Sequence, residues 1–244
     1  MSKNNVRDFY MILDKEKGSS EDPFFEQELA HFLPIAHGRL LDIGCLDGSK
    51  TVLVRNVVQA AEAYGVDFIP NRLAEAERRG IHTFCVDLNN DLPLPFPDEF
   101  FDVIFCGEVI EHLFSPDTLM DEIVRLLKPG GYVLITTPNL ASWKNRFALL
   151  MGWQPFFTEV STRDRYGNPR TPRGLPSGHI RIFTPKALQE MTAVSRLRVE
   201  HIITVAVFTN SRGIVSQLGR FLDRILIPVW PTLGDRIVLR ARKS

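Results

Sequence analysis

The sequence predicts an α/β fold: a doubly wound, mostly parallel sheet with helices on both faces and an antiparallel C-terminal edge. Three observations predict it. Short apolar runs alternate with segments of helical spacing, the pattern of parallel strands joined by crossover helices. One run, Arg39-Leu40-Leu41-Asp42-Ile43, turns on Gly44 and Gly48 straight into a helical pattern near Ser49, the first unit of a nucleotide-binding domain. The next two runs end in Asp67 and Asp87, carboxylates at the sheet edge where such folds hold their ligands.

The elements follow in order. Residues 1–21 are polar and of mixed charge, an arm or part of a cover. From Pro23 to Ala36, Phe24, Phe25, Leu29, Phe32 and Leu33 recur near helical spacing, so a helix is expected. At the turn, Gly44 and Gly48 lack a Cβ, which lets the chain bend sharply and turn the first amides of the next helix toward a ligand. That helix presents Val54, Val57, Val58 and Ala61 on one face. Ala63–Asp67 is the second strand, Asn71–Arg79 a charged helix stopped by Gly80, and His82–Asp87 the third strand. Pro93, Pro95 and Pro97 punctuate an irregular segment before the fourth strand, Phe101–Cys106. Gly107-Glu108-Val109-Ile110-Glu111-His112-Leu113 follows it. A helix over 117–127 buries Leu119, Ile123, Leu126 and Leu127, and Lys128-Pro129-Gly130-Gly131 turns into the fifth strand, Tyr132–Asn139.

Beyond that point the pattern changes. Residues 144–178 are too rich in Pro, Gly and Arg for regular structure and too long for an idle connection. Gly178-His179-Ile180-Arg181 leads into a helix capped by Thr184, with Pro185 at its first position. Strands near 198–208 and 236–242 form the expected antiparallel edge. Between them Ile214, Leu218, Phe221, Leu222, Ile225 and Val229 trace one apolar stripe, with Arg212, Arg220 and Arg224 elsewhere. Such a stripe packs on the sheet or in a homodimer interface, or else lies on an anionic membrane.

Composition bounds the class. The 244 residues suit one domain, and 44% hydrophobic residues are enough for a full core. With 29 basic and 29 acidic residues the formal charge is zero, and there is no basic–aromatic interleaving, which argues against nucleic acid as a partner. Cys45, Cys85 and Cys106 show no metal spacing and read as reduced thiols used as small core residues. The polar start, Met1-Ser2-Lys3-Asn4-Asn5, has no apolar signal region and no apolar run reaches membrane-spanning length, so a cytoplasmic location is expected.

Acid-bearing strand ends, Glu-His after the fourth strand and Lys-Pro-Gly-Gly before the fifth together resemble the class I S-adenosylmethionine-dependent methyltransferases, of the type 11/12 kind. The likeness is dense over residues 39–139 and looser to the C-terminus. It implies a Rossmann-like sheet spanning the whole chain as one domain, with residues 1–36 as N-terminal arm and helix. It further implies an acceptor lid over 144–178 and a helical insertion over 210–232. The cofactor it implies is S-adenosyl-L-methionine. Its amino-acid end would meet the backbone of Gly44, Cys45 and Gly48, its ribose Asp67, and its adenine Phe68, Asp87 and Leu88, with Asp42 and Cys106 completing the set. From the residues alone, only acids at the ends of buried strands follow. The family usually reads Asp-x-Gly-x-Gly-x-Gly here, and this chain has Leu46 at the middle glycine. Its backbone is therefore expected to avoid conformations that only glycine tolerates.

The catalytic candidates are Glu111, His112 and His179. Glu108-x-x-Glu111-His112 with the distant His179 resembles ubiquinone-biosynthesis O-methyltransferases and plant small-RNA 2′-O-methyltransferases, where the corresponding groups hold a divalent metal. The resemblance admits such a metal without requiring it, and the metal ligands stay unassigned. The expected reaction is O-methylation of a small-molecule, glycan or lipid-linked acceptor. Arg163, Arg165, Arg170 and Arg173 in the lid suit an anionic one. The alternatives are a non-catalytic subunit that keeps the fold to bind a partner and, third, an RNA 2′-O-methyltransferase.

Overall fold

The computed structural model describes residues 32–169, 174–207 and 214–244, with only the backbone of 214–216. Seven strands form one sheet in the order β3-β2-β1-β4-β5-β7-β6. They are β1 (Arg39–Ile43), β2 (Glu62–Asp67), β3 (His82–Cys85), β4 (Phe101–Gly107), β5 (Leu127–Pro138), β6 (Leu197–Val205) and β7 (Arg236–Lys243). The α-helices among the described residues are α1 (Ser49–Val58), α2 (Pro70–Arg78), α3 (Pro116–Leu126), α4 (Trp143–Leu150), α5 (Pro185–Val194) and α6 (Ile214–Val229).

β1 to β5 pair in parallel, as alternation with helices requires. The strand order reverses between β1 and β4, so a crevice opens at the carboxyl ends of those two strands. β7 runs antiparallel between β5 and β6, giving the expected antiparallel C-terminal edge. Because Pro138 pairs with Arg236, the start of β7 lies at the same sheet edge as the end of β5. The core is continuous across the sheet. Leu41, Ile43, Ile104, Ile123, Val133 and Leu239 lie on one side, and Leu40, Val54, Val58, Val103 and Leu134 on the other.

Several local expectations change. Pro23–His31 lie outside the described residues. Helical conformation has ended by Leu33, and Leu33–His37 run irregularly against α1, with Leu33 buried beside Val54 and Val58. Helix α1 stops at Val58 because Gln59 turns to φ 54°, so Ala61 falls outside its apolar face. Lys128–Gly131 do not form a free turn. Leu127 already pairs with Phe101, and the four residues make an irregularity inside β5, with Gly130 at φ 78°. Cys85 is exposed, not core, because β3 is a four-residue edge strand, whereas Cys45 and Cys106 are buried as expected.

The largest change concerns α6. Leu218, Phe221, Ile225 and Val229 point into solvent instead of onto the sheet. The physical reason is a polar anchor on the opposite side of the helix. Asp223, 3% exposed, accepts from Trp143 Nε1 at 2.7 Å and from Lys144 Nζ at 3.1 Å, and Lys144 also pairs with Asp235 at 2.5 Å. A buried carboxylate left without such partners would cost several kcal/mol, so the anchored face is fixed inward. The apolar stripe is thereby left outside. Arg212 lies outside the described residues. No helix among the described residues is long and apolar enough to cross a membrane.

Candidate active site

The loop joining β1 to α1 is built by backbone geometry. Gly44 sits at φ 79°, and a Cβ there would come within 2.4 Å of Val109 Cγ2, on the turn after β4. Gly48, the N-cap of α1, sits at φ 77°, and a Cβ would meet Ile81 Cδ1 at 2.4 Å. Both positions demand glycine twice over, by conformation and by contact. The loop's amides are turned inward: Gly44 and Cys45 donate to Val66 O at 2.8 and 3.1 Å, and Gly48 to Cys45 O at 2.8 Å. An outward cradle of amides is therefore not what the loop offers.

Leu46 departs from expectation. It adopts φ 46°, in the left-handed region, so it does enter a conformation that side chains disfavour. Its amide donates to Asp67 Oδ2 at 3.0 Å, and its side chain is half exposed. Asp67, buried at the end of β2, also accepts from Phe68 N at 2.7 Å and Ile69 N at 3.1 Å through Oδ1. Three backbone donors thus orient this carboxylate at the crevice. Asp42 is fully buried one strand away and accepts from Thr51 Oγ1 at 2.5 Å, tying β1 to α1. Burial raises its carboxyl to about 7, against the lowering effect of the Thr51 hydrogen bond.

The remaining cofactor candidates are placed less uniformly. Phe68 is half-buried directly after Asp67, and Leu88 packs partly on the core. Asp87 lies two residues past the end of β3 and caps its own turn, accepting from Asn89 N at 3.0 Å and Asn90 Nδ2 at 2.7 Å. Cys106 is fully buried in the core, so its side chain is walled off and only its backbone could meet a ligand. Burial pushes both the Cys45 and Cys106 thiols up, so neither is a ready nucleophile.

Across the crevice, the turn after β4 gathers Glu111, His112 and His179, whose ligand atoms lie within 4.8 Å of one another. Glu111 is fully buried. Its Oε2 accepts from Thr137 Oγ1 at 2.9 Å, while Oε1 has no hydrogen-bond partner and lies 3.9 Å from His112 Nε2. Burial first, and then the charge of Glu108, raise the Glu111 carboxyl well above its usual range. His112 Nδ1 is 3.2 Å from Gly178 O, and His179 Nδ1 is 3.0 Å from Phe157 O. A carbonyl only accepts, so each Nδ1 carries a proton, which leaves Nε2 as the nitrogen that can exchange one. The two rings lie 4.8 Å apart.

Glu108 does not join this group. At φ 59° it turns to β5 and β7, accepting from Thr136 Oγ1 at 2.9 Å and facing Arg236 Nε at 3.1 Å. The resemblance suggests Glu108 beside these three, but its left-handed kink directs it elsewhere. Two partners were not legible in the sequence. Arg236 comes from the far end of the chain. Glu159, within the proline-rich segment, accepts from the amides of Ser177, Gly178 (2.8 Å) and His179 (3.3 Å), and so fixes the backbone that carries His179. No local signal marks either residue. The backbone of Glu111 adds two further ties, accepting from Ile180 N and Arg181 N at 2.8 and 2.9 Å.

The donor set fits a divalent ion in kind: one carboxylate oxygen and two imidazoles, each imidazole's far nitrogen held by a backbone carbonyl. The crevice also fits the methionyl cofactor in kind, with a turn that requires glycine at 44 and 48 and an oriented acid twenty-odd residues on.

Comparison with known proteins agrees with this arrangement. Residues 41–135 match the family model described as a methyltransferase domain. A demethylmenaquinone methyltransferase of Symbiobacterium thermophilum is 31% identical over 133 residues, 52% of this chain and 52% of that protein. A ubiquinone biosynthesis O-methyltransferase of Cereibacter sphaeroides is 34% identical over 121 residues, 47% of each chain. The chain thus spans about half the length of the curated relatives it matches. Among solved structures, an S-adenosylmethionine-dependent methyltransferase of Archaeoglobus fulgidus superposes with a TM-score of 0.61 at 18% identity, covering 96% of this chain and all of that one (100%). A second, from Mesorhizobium loti, gives 0.58 at 17% identity, covering 89% and 96%. The glycine turn, the acid after β2 and the Glu-His turn after β4 accordingly lie in the stretch that matches a methyltransferase domain, the part of the chain that its S-adenosylmethionine-dependent relatives share.

Proposed function

We propose that the chain transfers the methyl group of S-adenosylmethionine to a hydroxyl of a small-molecule, glycan or lipid-linked acceptor that carries negative charge. The carrying observation is the pair His112 and His179. Both rings donate Nδ1–H to backbone carbonyls, His112 Nε2 lies 3.9 Å from Glu111 Oε1, and His179 joins the same cluster. An oxygen nucleophile must lose a proton as it is methylated, and a neutral imidazole near its own pKa is the suited base. When bound, the cofactor supplies an electrophilic methyl whose departing sulfide needs no acid. The protein's part is to align acceptor and methyl and to exclude water.

In this reading Asp67 receives the ribose hydroxyls, the backbone of Gly44, Cys45 and Gly48 meets the amino-acid end, and Phe68, Asp87 and Leu88 border the adenine. Glu111 positions the imidazoles. Of the expected lid span 144–178, residues 144–150 are helical in α4, and the rest, without helix or strand where described, forms the lid of a single domain. Arg163 and Arg165 lie on it, and Arg170 and Arg173 fall outside the described residues. Their guanidinium groups favour a phosphate or carboxylate on the acceptor.

A second reading is favoured by the same geometry: Glu111, His112 and His179 would hold a divalent ion that polarises the acceptor hydroxyl. The two readings share the oxygen acceptor and differ in the base.

The experiment is an acceptor screen that follows S-adenosylhomocysteine release, run with and without chelator. Release with anionic hydroxyl compounds is expected, and turnover restricted to nitrogen acceptors would contradict the proposal. Loss on chelation, restored by a divalent ion, would select the metal form.

A further inference from the structure

We infer that Arg181 is the specificity-determining residue of the crevice: its guanidinium receives a carboxylate or phosphate of the acceptor while the acceptor hydroxyl sits at the histidine pair. That the bound oxyanion belongs to a methyl acceptor rests on the methyl-transfer reading; the oxyanion site itself does not.

Three contacts fix Arg181 against the turn that carries Glu111 and His112. The amides of Ile180 and Arg181 both donate to Glu111 O, at 2.8 and 2.9 Å. From the side chain, Nη2 donates to Phe114 O at 3.0 Å. Phe114 is held in turn, its amide donating to Asn89 Oδ1 at 2.9 Å on the loop that carries Asp87 and Leu88. The guanidinium is thus tied, through Phe114, to the histidine turn and to the loop on the adenine side.

No ion pair accounts for this restraint. Arginines elsewhere at the sheet meet carboxylates: Arg39 meets Glu62 at 3.0 Å, Arg125 meets Glu122 at 2.6 Å and Arg242 meets Glu200 at 2.7 Å. Arg181 is exposed and pairs with no acid among the described residues, and one carbonyl takes one of its five donors. The nearby carboxylates are engaged. Glu108 faces Arg236, Glu159 accepts three amides, and Glu111 is buried against Thr137. The donors left on Arg181 form a planar fork of the shape that a carboxylate or a phosphate fills.

Placement links this fork to the chemistry. Arg181 follows His179 by two residues, so their Cα atoms lie at most ~7 Å apart and one small molecule reaches both. An acceptor held at its oxyanion by Arg181 has its hydroxyl set at a fixed distance, which is the alignment that methyl transfer needs. Acceptors with hydroxyl and oxyanion on one compact unit are therefore selected.

The test follows the arginine Nε–H signals of the full chain by proton–nitrogen NMR with S-adenosylhomocysteine present. Inorganic phosphate and acetate are titrated separately, against sodium chloride at equal ionic strength. The signal assigned to Arg181 by its loss in Arg181→Gln is expected to shift saturably at millimolar anion and not with chloride. The Phe114 and Ile180 amides report the same binding in the variants. Their response should vanish in Arg181→Gln and weaken about fivefold or more in Arg181→Lys, which keeps the charge without the fork. A stronger response to phosphate assigns a phosphate-bearing acceptor, and a stronger response to acetate a carboxylate. With the hydroxyl acceptor returned by the turnover screen, Arg181→Gln should raise KM about tenfold or more with a much smaller change in kcat. An Arg181 signal unmoved by both anions, an amide response that survives in Arg181→Gln, or a fall in kcat at constant KM would each overturn the proposal. The NMR arm needs no turnover. A screen without product therefore counts against the methyl-transfer reading, whereas an unmoved Arg181 in a protein that turns over counts against this inference alone.

Discussion

The amide of Leu46 donates to Asp67 Oδ2 at 3.0 Å, so the end of β2 holds the glycine turn of β1 in place. The contact is made by a leucine at φ 46°, a conformation that costs an L-residue roughly 1–2 kcal/mol. The strain is sustained because the neighbouring turns, at Gly44 and Gly48, are fixed by close contacts with Val109 and Ile81.

Replacement by glycine should release that strain while the half-exposed side chain gives up little buried surface. Leu46→Gly is expected to raise stability to urea by about 1 kcal/mol, and Leu46→Ala, which keeps the strain, is expected not to. Equal effects of the two would show that the backbone at 46 is relaxed.

Asp42 gives the fold a pH dependence. Its folded-state value is raised from 3.8 to about 7 by burial, so the native state holds this proton more tightly than the unfolded chain. The resulting stability is fully present below the unfolded value and is lost as pH rises through about 7. Asp42→Asn removes that loss. The difference in unfolding free energy between variant and wild type should move by about 2–3 kcal/mol in the variant's favour between about pH 5 and about pH 8. A constant difference across that range would place the Asp42 titration elsewhere.

Much of this arrangement is legible in the sequence because it is local. Alternation of apolar runs with helical spacing fixes β1 to β5, and Thr184 with Pro185 starts α5 where expected, Thr184 Oγ1 accepting from Ala187 N. What escapes is long-range or conformational. The outward stripe of α6 depends on Asp223 meeting Trp143 and Lys144, some 80 residues apart in the chain (separations of 80 and 79). Periodicity marks the stripe but not its direction. The exclusion of Glu108 from the histidine cluster depends on one left-handed residue and on Arg236, neither of which spacing reveals.

At the histidine cluster, His112→Asn and His179→Asn should each lower kcat by about 100-fold or more while leaving cofactor affinity within about twofold. Glu111→Gln keeps the Thr137 hydrogen bond and should give a smaller loss with a shifted pH–rate profile. Rapid-quench turnover across pH checks this. Parallel loss of cofactor binding in the histidine variants would assign them a structural role.

Glu159 offers a test of positioning at a distance. Glu159→Gln weakens the acceptor of the Ser177, Gly178 and His179 amides without touching the cofactor side. Faster amide exchange confined to 177–181 and a reduced kcat at unchanged cofactor affinity are expected. Unaltered exchange at His179 would mean that other contacts hold the segment.

The most direct measurement is calorimetric titration of the protein with S-adenosylmethionine, repeated on Asp67→Asn. In the variant an amide NH₂ replaces one oxygen, removing an acceptor for the ribose and for either Leu46 or the Phe68 and Ile69 amides. The account predicts saturable one-to-one binding to wild type and an affinity lower by about 100-fold in the variant, the loss of one or two charge-assisted hydrogen bonds. Absence of binding at millimolar cofactor, or equal affinity in the two proteins, would contradict it.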